Sequence, residues 1–510
     1  MMKKEKVEEE QSADDLITEF QAGWNITNAI QGMFLLSFPY AILQGGVWAV
    51  IGIILVAVIC YYTGMLLVDC MYERRDSGGK VELHKVNYSY GDIANQVWGP
   101  YFGRIMVTTF QLIELLMTCI LYLILCGDMM IGCFGNEKYK IFLFIFLSAV
   151  LLLPCILLKS IKTVSWLSFW NTVTHLIINA LVIVYCLTLY EKWTLSVVSL
   201  KVSIKKFPIS LGIIVFSYTS QIFIPKLENS MIDKSRFRPM LIWTHFAAAL
   251  CKVIFGTVGA LAFGIDTDEV ITNNLSNYTF RIIVNFALFV KALLTFPLPY
   301  YAAVEILEKE ITILRLENEK QALAFGNSVT NDTEETHQTL EDEQIEMVSG
   351  YDQNENPETP EAPGQETVKR SKKIYPELKI KQDWTRRKLS RKILLFRSVL
   401  ILALFFMAVA IPNFALLMGL IGSLSGTLLS LIWPCYFHLK IKWKNLNLMK
   451  KLVNFFIISF GIFVCLIGVY FSGLALFEAI TKREFVKHFD KSEASKLPFS
   501  SLTKKNETDD

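Results

Sequence analysis

Charge is scarce in this chain. Of 510 residues only 19% are Asp, Glu, Lys or Arg, against 53% that are hydrophobic, and the mean hydropathy is +0.40. A soluble domain of this length could not cover itself with so few charges, which leaves a polytopic membrane protein. Catalytic signatures are missing as well: there is no HExxH, no GxSxG, no Walker-type glycine loop and no pair of intramembrane aspartates. Without a nucleotide site, uphill movement of a solute must be driven by an ion gradient. The 10 cysteines are scattered, mostly inside apolar runs, with no CxxC and no Cys/His cluster. They read as small packing groups, and neither a metal nor a cofactor is expected. The net charge of +3 points to no nucleic-acid partner. The opening stretch MMKKEKVEEEQSADDL lacks the apolar core and cleavage site of a signal peptide, so the first apolar run is expected to stay in the mature chain.

What the sequence does have is long apolar runs. About eleven are long enough to cross the hydrocarbon, near 23–45, 47–70, 104–131, 141–158, 165–190, 208–227, 240–264, 281–306, 392–411, 413–437 and 453–478. The expected fold class is therefore an all-α polytopic membrane protein embedded in the lipid bilayer. Residues 1–22 form a cytoplasmic tail, 23–308 carry the first eight spans and 391–478 the last three. Basic clusters (MYERR, LKSIK, DKSRFR, WTRRKLSRK) fall in loops on the side of the N-terminus, which places it in the cytosol. The loop GIDTDEVITNNLSNYTF then faces a lumen or the exterior, where its sequons make Asn274 and Asn277 glycosylation candidates. An odd number of spans puts the 479–510 tail on that luminal side too, although its lysines, like Lys201, Lys205 and Lys206, fit the charge rule less well. The 309–390 segment reads as a disordered, acidic cytoplasmic loop: its Asn331 to Gln365 stretch has many carboxylates and no Lys or Arg.

Two spans are interrupted. The first carries NAIQGMFLLSFPY, with Asn28, Gln31, Gly32 and Met33; the sixth carries GIIVFSYTSQIFIP, with Phe216, Ser217, Tyr218, Thr219, Ser220 and Gln221. Unpaired polar groups in hydrocarbon cost several kcal/mol, so they must face protein, water or a ligand. Polar or Gly/Pro-interrupted segments at corresponding places in two halves point to an inverted-repeat transporter whose site lies where two broken helices meet. Helix–helix packing through small and polar residues is the competing account. A half-helix restarting at Gly32 would aim free N–H groups at a carboxylate, and the Ser217–Gln221 run offers hydroxyls and carbonyls to an ammonium group.

Ionisable residues at depth default to function. Glu114, in FQLIELLMTCILY, is a candidate proton carrier or amine partner, and Lys291, in VKALLTFPLPYY, a partner for an acid or an anion. A structural ion pair is the alternative for both. His175 and His245 read as interhelical hydrogen-bonding residues.

The blocks AGWNITNAIQGMFLLSFPYAILQGG, QLIELLMTCILY, KKFPISLGIIVFSYTSQIFIPKLE, EVITNNL, KALLTFPLPYYAAVEILE and NFALLMGLIGSLSG resemble the amino acid/auxin permease family, in its branch that loads inhibitory neurotransmitters into vesicles. The likeness runs from about Ala22 to the eleventh span, apart from the 309–390 loop. It implies a LeuT-like fold with a 5+5 inverted repeat, broken helices 1 and 6, and an added eleventh span. It also implies residence in synaptic vesicle membranes and loading of GABA and glycine, driven by exchange for protons, with chloride coupling as another drive. The family's first-span motif falls on Asn25 to Phe34, its third-span acid on Glu114, its sixth-span motif on Phe216 to Gln221 and its eighth-span lysine on Lys291. Ser37-Phe38-Pro39-Tyr40 departs from the usual Gly-Leu-Pro-Tyr, and Gln44 stands where His is common. Other occupations of the same fold are a neutral amino acid permease of the plasma or lysosomal membrane, and a non-transporting amino acid sensor. No enzymatic activity is expected.

Overall fold

The first span begins earlier than its apolar run. Thr18 caps the helix α1 (Glu19–Ile30): its hydroxyl accepts from Gln21 N at 3.3 Å while the Gln21 side chain accepts from Thr18 N at 2.9 Å. This reciprocal capping box satisfies two otherwise orphan donors and fixes the start at Glu19 rather than residue 23. The computed structural model describes residues 16–77, 80–99, 102–134, 141–154, 161–200, 203–308, 310–311, 391–411 and 413–494.

After α1 the chain breaks at Gln31 and Gly32 and restarts as a 3-10 turn, Met33–Ser37, that runs into α2 (Phe38–Gly45). Pro39 lies in the first turn of α2, where its missing N–H costs nothing. Gly46 turns the chain at φ 59°, a left-handed conformation, and a Cβ there would sit 2.2 Å from the Ser199 carbonyl oxygen. The helix α3 (Val47–Met71) follows, with Ile51, Ile54, Leu55 and Val58 exposed on its outer face, as a lipid-facing stripe requires. An antiparallel hairpin, β1 (Tyr72–Ser77) with β2 (Lys80–Lys85), pairs Tyr72 with Lys85 and is the one sheet among the described residues. It leads into α4 (Tyr90–Trp98) and the long α5 (Phe102–Phe134).

The next helices are α6 (Ile141–Leu151), α7 (Ile161–Thr188), α8 (Phe207–Phe216), the short α9 (Ile224–Ser230), α10 (Phe237–Phe263) and α11 (Tyr278–Thr295). Last come α12 (Arg391–Ala410), α13 (Phe414–Ile421), α14 (Trp433–Lys442) and α15 (Leu448–Ala494). Two π-helical turns, Gly422–Gly426 and Leu428–Ile432, join α13 to α14. Nine helical segments among the described residues are long and apolar enough to cross a membrane, and two shorter apolar helices, α6 and α8, stand where the fourth and sixth spans are expected. The protein is an all-α polytopic membrane protein.

The described residues up to Val304 and from Leu394 onward belong to one compact unit. A second, Glu305–Ile393, is described only at its helical ends, so nearly all of the expected 309–390 loop lies outside the described residues, as does 495–510.

Contacts between distant segments define two ends of the first unit. At one end Ile17 pairs with Met231 as a parallel β-bridge, and Asn229 Nδ2 donates to Tyr88 O at 2.7 Å. There the Glu228 carboxylate accepts from both Tyr72 and Lys85, and Lys442 donates to Tyr72 O. At the other end Val47 N donates to Ser199 O at 3.2 Å, Trp48 Nε1 to Leu200 O at 3.1 Å and Thr194 N to Leu261 O at 2.9 Å. The end holding Ile17 is the one expected in the cytosol.

Candidate functional site

The two helix breaks lie against the same cleft. The sixth span stops at Phe216, runs as non-helical chain through Ser217–Phe223 and resumes at Ile224, next to the first-span break at Gln31–Gly32. Between them opens a cleft of about 490 Å³, counting its open mouth. Asn28, Glu114, Phe216 and Thr219 line it, four of the residues singled out from the sequence. Others in its wall were not: Phe34, Thr118, Tyr122, Ile222, Phe223 and Thr295.

Glu114 is the one acid in the lining among the described residues. Its residue is 3% exposed, its Oε2 has no hydrogen-bond partner, and the hydroxyls of Thr219 and Ser425 lie beside it. A carboxyl held this way by neutral groups can carry a proton or meet an ammonium group without first breaking a salt bridge. The expected alternative of an ion pair is not realised for Glu114 or Lys291 among the described residues.

One end of the cleft is roofed by rings. Phe34 packs on Phe216, Tyr122 and Phe414 with centroids 4.9, 5.5 and 6.3 Å apart. Gly32 allows this approach: a Cβ there would lie 3.2 Å from the Tyr122 hydroxyl oxygen. From that roof the lining descends through Asn28, Ile222 and Phe223 toward the end that carries Ile17 and the hairpin.

The remaining sequence candidates sit behind the wall. Lys291 is buried beside Met33, its Nζ 3.6 Å from the thioether sulfur. His175 lies near Gln31 and Lys291, and neither ring nitrogen has a hydrogen-bond partner. His245 bonds Leu241 O at 3.0 Å, within its own helix rather than between helices. Ser220 and Gln221 fold onto each other, Gln221 Oε1 accepting from Ser220 N at 3.0 Å, while Gln221 Nε2 reaches Cys60 O and Thr63 Oγ1 on α3, both at 3.2 Å.

Lys252, behind the sixth-span break, is a further residue that the sequence did not single out. Fully buried on α10, it donates to Ser217 O and Ser217 Oγ, both at 2.9 Å, and its Nζ stands 3.3 Å from the Tyr218 ring centroid. An ammonium so placed satisfies carbonyl groups that the unwound segment leaves free. The signal that could have found it is the one used for Lys291, a lysine inside an apolar run.

The sequon residues are used by the loop itself. Asn274 Nδ2 donates to Asp266 O at 2.6 Å, and Asn277 caps α11 by accepting from Phe280 N at 3.0 Å.

Residues 16–474, nearly the whole of this architecture, match the family model described as transmembrane amino acid transporter protein. The chain belongs to the transmembrane amino acid transporter family. It is 37% identical over 472 residues to the vesicular GABA transporter of Caenorhabditis elegans, covering 92% of this chain and 82% of that one. It is 40% identical over 433 residues to the vesicular inhibitory amino acid transporter of Xenopus laevis (84% and 71%) and 39% identical over 433 to that of Homo sapiens (84% and 70%).

Proposed function

We propose that the protein loads GABA and glycine into synaptic vesicles by exchanging luminal protons for cytosolic amino acid. The observation that carries this reading is the Glu114 carboxyl, buried beside neutral hydroxyls with its Oε2 lacking a hydrogen-bond partner, in a cleft where two helix breaks meet. The names of the relatives support the substrate class. A zwitterion fits the chemistry: its carboxylate meets the Gly32 and Met33 amides at the restart of the first span, with Asn28 and Gln31 nearby. Its ammonium group meets Glu114 or the unwound Phe216–Ser220 backbone and hydroxyls. With the N-terminus cytoplasmic and the C-terminal tail luminal, the Ile222–Phe223 end of the cleft would face the cytosol and the Phe34 roof the lumen.

Alternating access follows by rocking one bundle of a LeuT-like 5+5 inverted repeat against the other, the eleventh span being an addition to the repeat. Lys291 and Lys252 bracket the two breaks and bias the site electrostatically, Lys291 being the residue through which chloride would act if chloride contributes to the drive. Labelled GABA, glycine, alanine and glutamine uptake into proteoliposomes with an acid lumen tests the assignment. Uptake of GABA and glycine that stops when the gradient collapses is the expected result. Gradient-independent uptake favouring alanine or glutamine would move the protein to a general permease, and binding without flux would make it a sensor.

A further inference from the structure

A half-buried acid, Glu269, borders the ring roof of the cleft. Glu269 belongs to the loop between α10 and α11, outside the spans, and ties three segments together. Its backbone carbonyl accepts from Ser37 Oγ at 2.6 Å, at the foot of α2. Its carboxylate caps α13, Oε1 accepting from Asn413 Nδ2 at 3.1 Å and Oε2 from Ala415 N at 2.9 Å. Phe414, between those two donors, is one of the rings over the cleft. Release of Glu269 therefore frees both the α2 side and the α13 side of the roof.

We propose that Glu269 is a luminal proton-binding latch: its carboxyl takes a proton from the lumen as the roof closes and returns it as the roof opens, so an acid lumen holds the roof shut and the cleft open to the cytosol. The proposal rests on the vesicular reading for its acid compartment. Burial holds the carboxyl above its ordinary range, and the neighbouring Asp268 charge pushes the same way, while the Asn413, Ala415 and Phe414 donors oppose. The charged and titratable groups facing it are Asp268 on its own loop and Tyr40 on α2; among the described residues no cation acts on it. When the roof opens, water returns the carboxyl to its ordinary range. The closed state thus binds the proton more tightly, and lowering the pH through that interval favours closing. At neutral pH the closed state instead holds a half-buried carboxylate that, among the described residues, has hydrogen-bond donors but no cation beside it.

Hydrogen exchange of the full chain in nanodiscs, corrected for the intrinsic pH dependence of exchange, reads this without substrate or flux. Protection of the 413–421 peptide is expected to rise as the pH falls from about 7.5 to about 5.5, by about tenfold for each unit separating the two states' affinities for the proton. Glu269→Gln, a neutral mimic of the protonated acid, should be protected and pH-independent. Asp268→Asn should keep the rise but move its midpoint to lower pH, and serves if the Gln variant does not fold. Flat or falling protection in the native chain, a Gln variant that still responds to pH, or an unmoved midpoint in Asp268→Asn would overturn the latch. A chain with this profile but no GABA uptake would lose the transport assignment and keep the latch; uptake with flat protection would do the reverse.

Discussion

Gly422 opens the first π turn where it crosses α8, and a methyl group there has no room. An added Cβ would lie 2.0 Å from the Gly212 carbonyl oxygen, 2.6 Å from Phe216 Cβ and 2.8 Å from Phe216 N. Ordinary contact begins at 3.4 Å, so the two backbones must part by 3.4 − 2.0 = 1.4 Å. Neither neighbour is the free end of a flexible side chain. Overpacking of this kind costs about 1–3 kcal/mol, and two rigid backbones place Gly422→Ala at the upper end. Because Phe216 both lines the cleft and precedes the sixth-span break, substrate affinity should fall as well. Gly473→Ala supplies the opposite case: its nearest foreign atom is Leu420 Cδ1 at 4.0 Å, and Ala in a helix interior is better than Gly by roughly 1 kcal/mol. Thermal unfolding of the detergent-solubilised proteins should show Gly422→Ala melting several degrees below the native chain and Gly473→Ala at or above it. Equal melting of Gly422→Ala and the native chain, or equal losses in both variants, would refute the close crossing.

Phe34→Ala removes the ring shared by Tyr122, Phe216 and Phe414, so proteoliposomes carrying it should dissipate an imposed pH gradient faster; an unchanged leak would deny Phe34 its role as a roof. Glu228→Gln takes from the Lys85 ammonium, 11% exposed, the buried carboxylate it meets at the hairpin. Removing one partner of a buried pair costs about 3–5 kcal/mol, so amide exchange in Tyr72–Ser77 and Lys80–Lys85 should accelerate, and unaltered protection would count against the contact. Thr18→Ala removes the α1 cap at a cost of about 1 kcal/mol, visible as faster exchange in the first turn of α1 and nowhere else.

The breaks were legible because Gly32 and the Ser217–Gln221 run violate the apolar rule of their own spans, which is a local signal. Glu114 stood out in the same way, and its spacing points further: Thr118 and Tyr122 follow it by one and two helical turns and share the cleft. Lys252 carried an equal signal and went unread. The hairpin escaped because its charged sequence, YERRDS and KVELHK, reads as a polar loop; its position depends on Glu228, far along the chain. The Glu269 contacts to Asn413 and Ala415 span more than 140 residues, and no local pattern in one sequence encodes such a pairing.

Exchange itself is tested most directly by watching the lumen. Proteoliposomes loaded with a pH-sensitive dye and given an acid lumen should alkalinise when GABA is added outside, in step with entry of the label. Glu114→Gln should fold, keep the cleft, and show neither alkalinisation nor accumulation. GABA entry without proton release in the native chain, or full coupling in Glu114→Gln, would contradict the assignment of Glu114 as the residue that links the two fluxes.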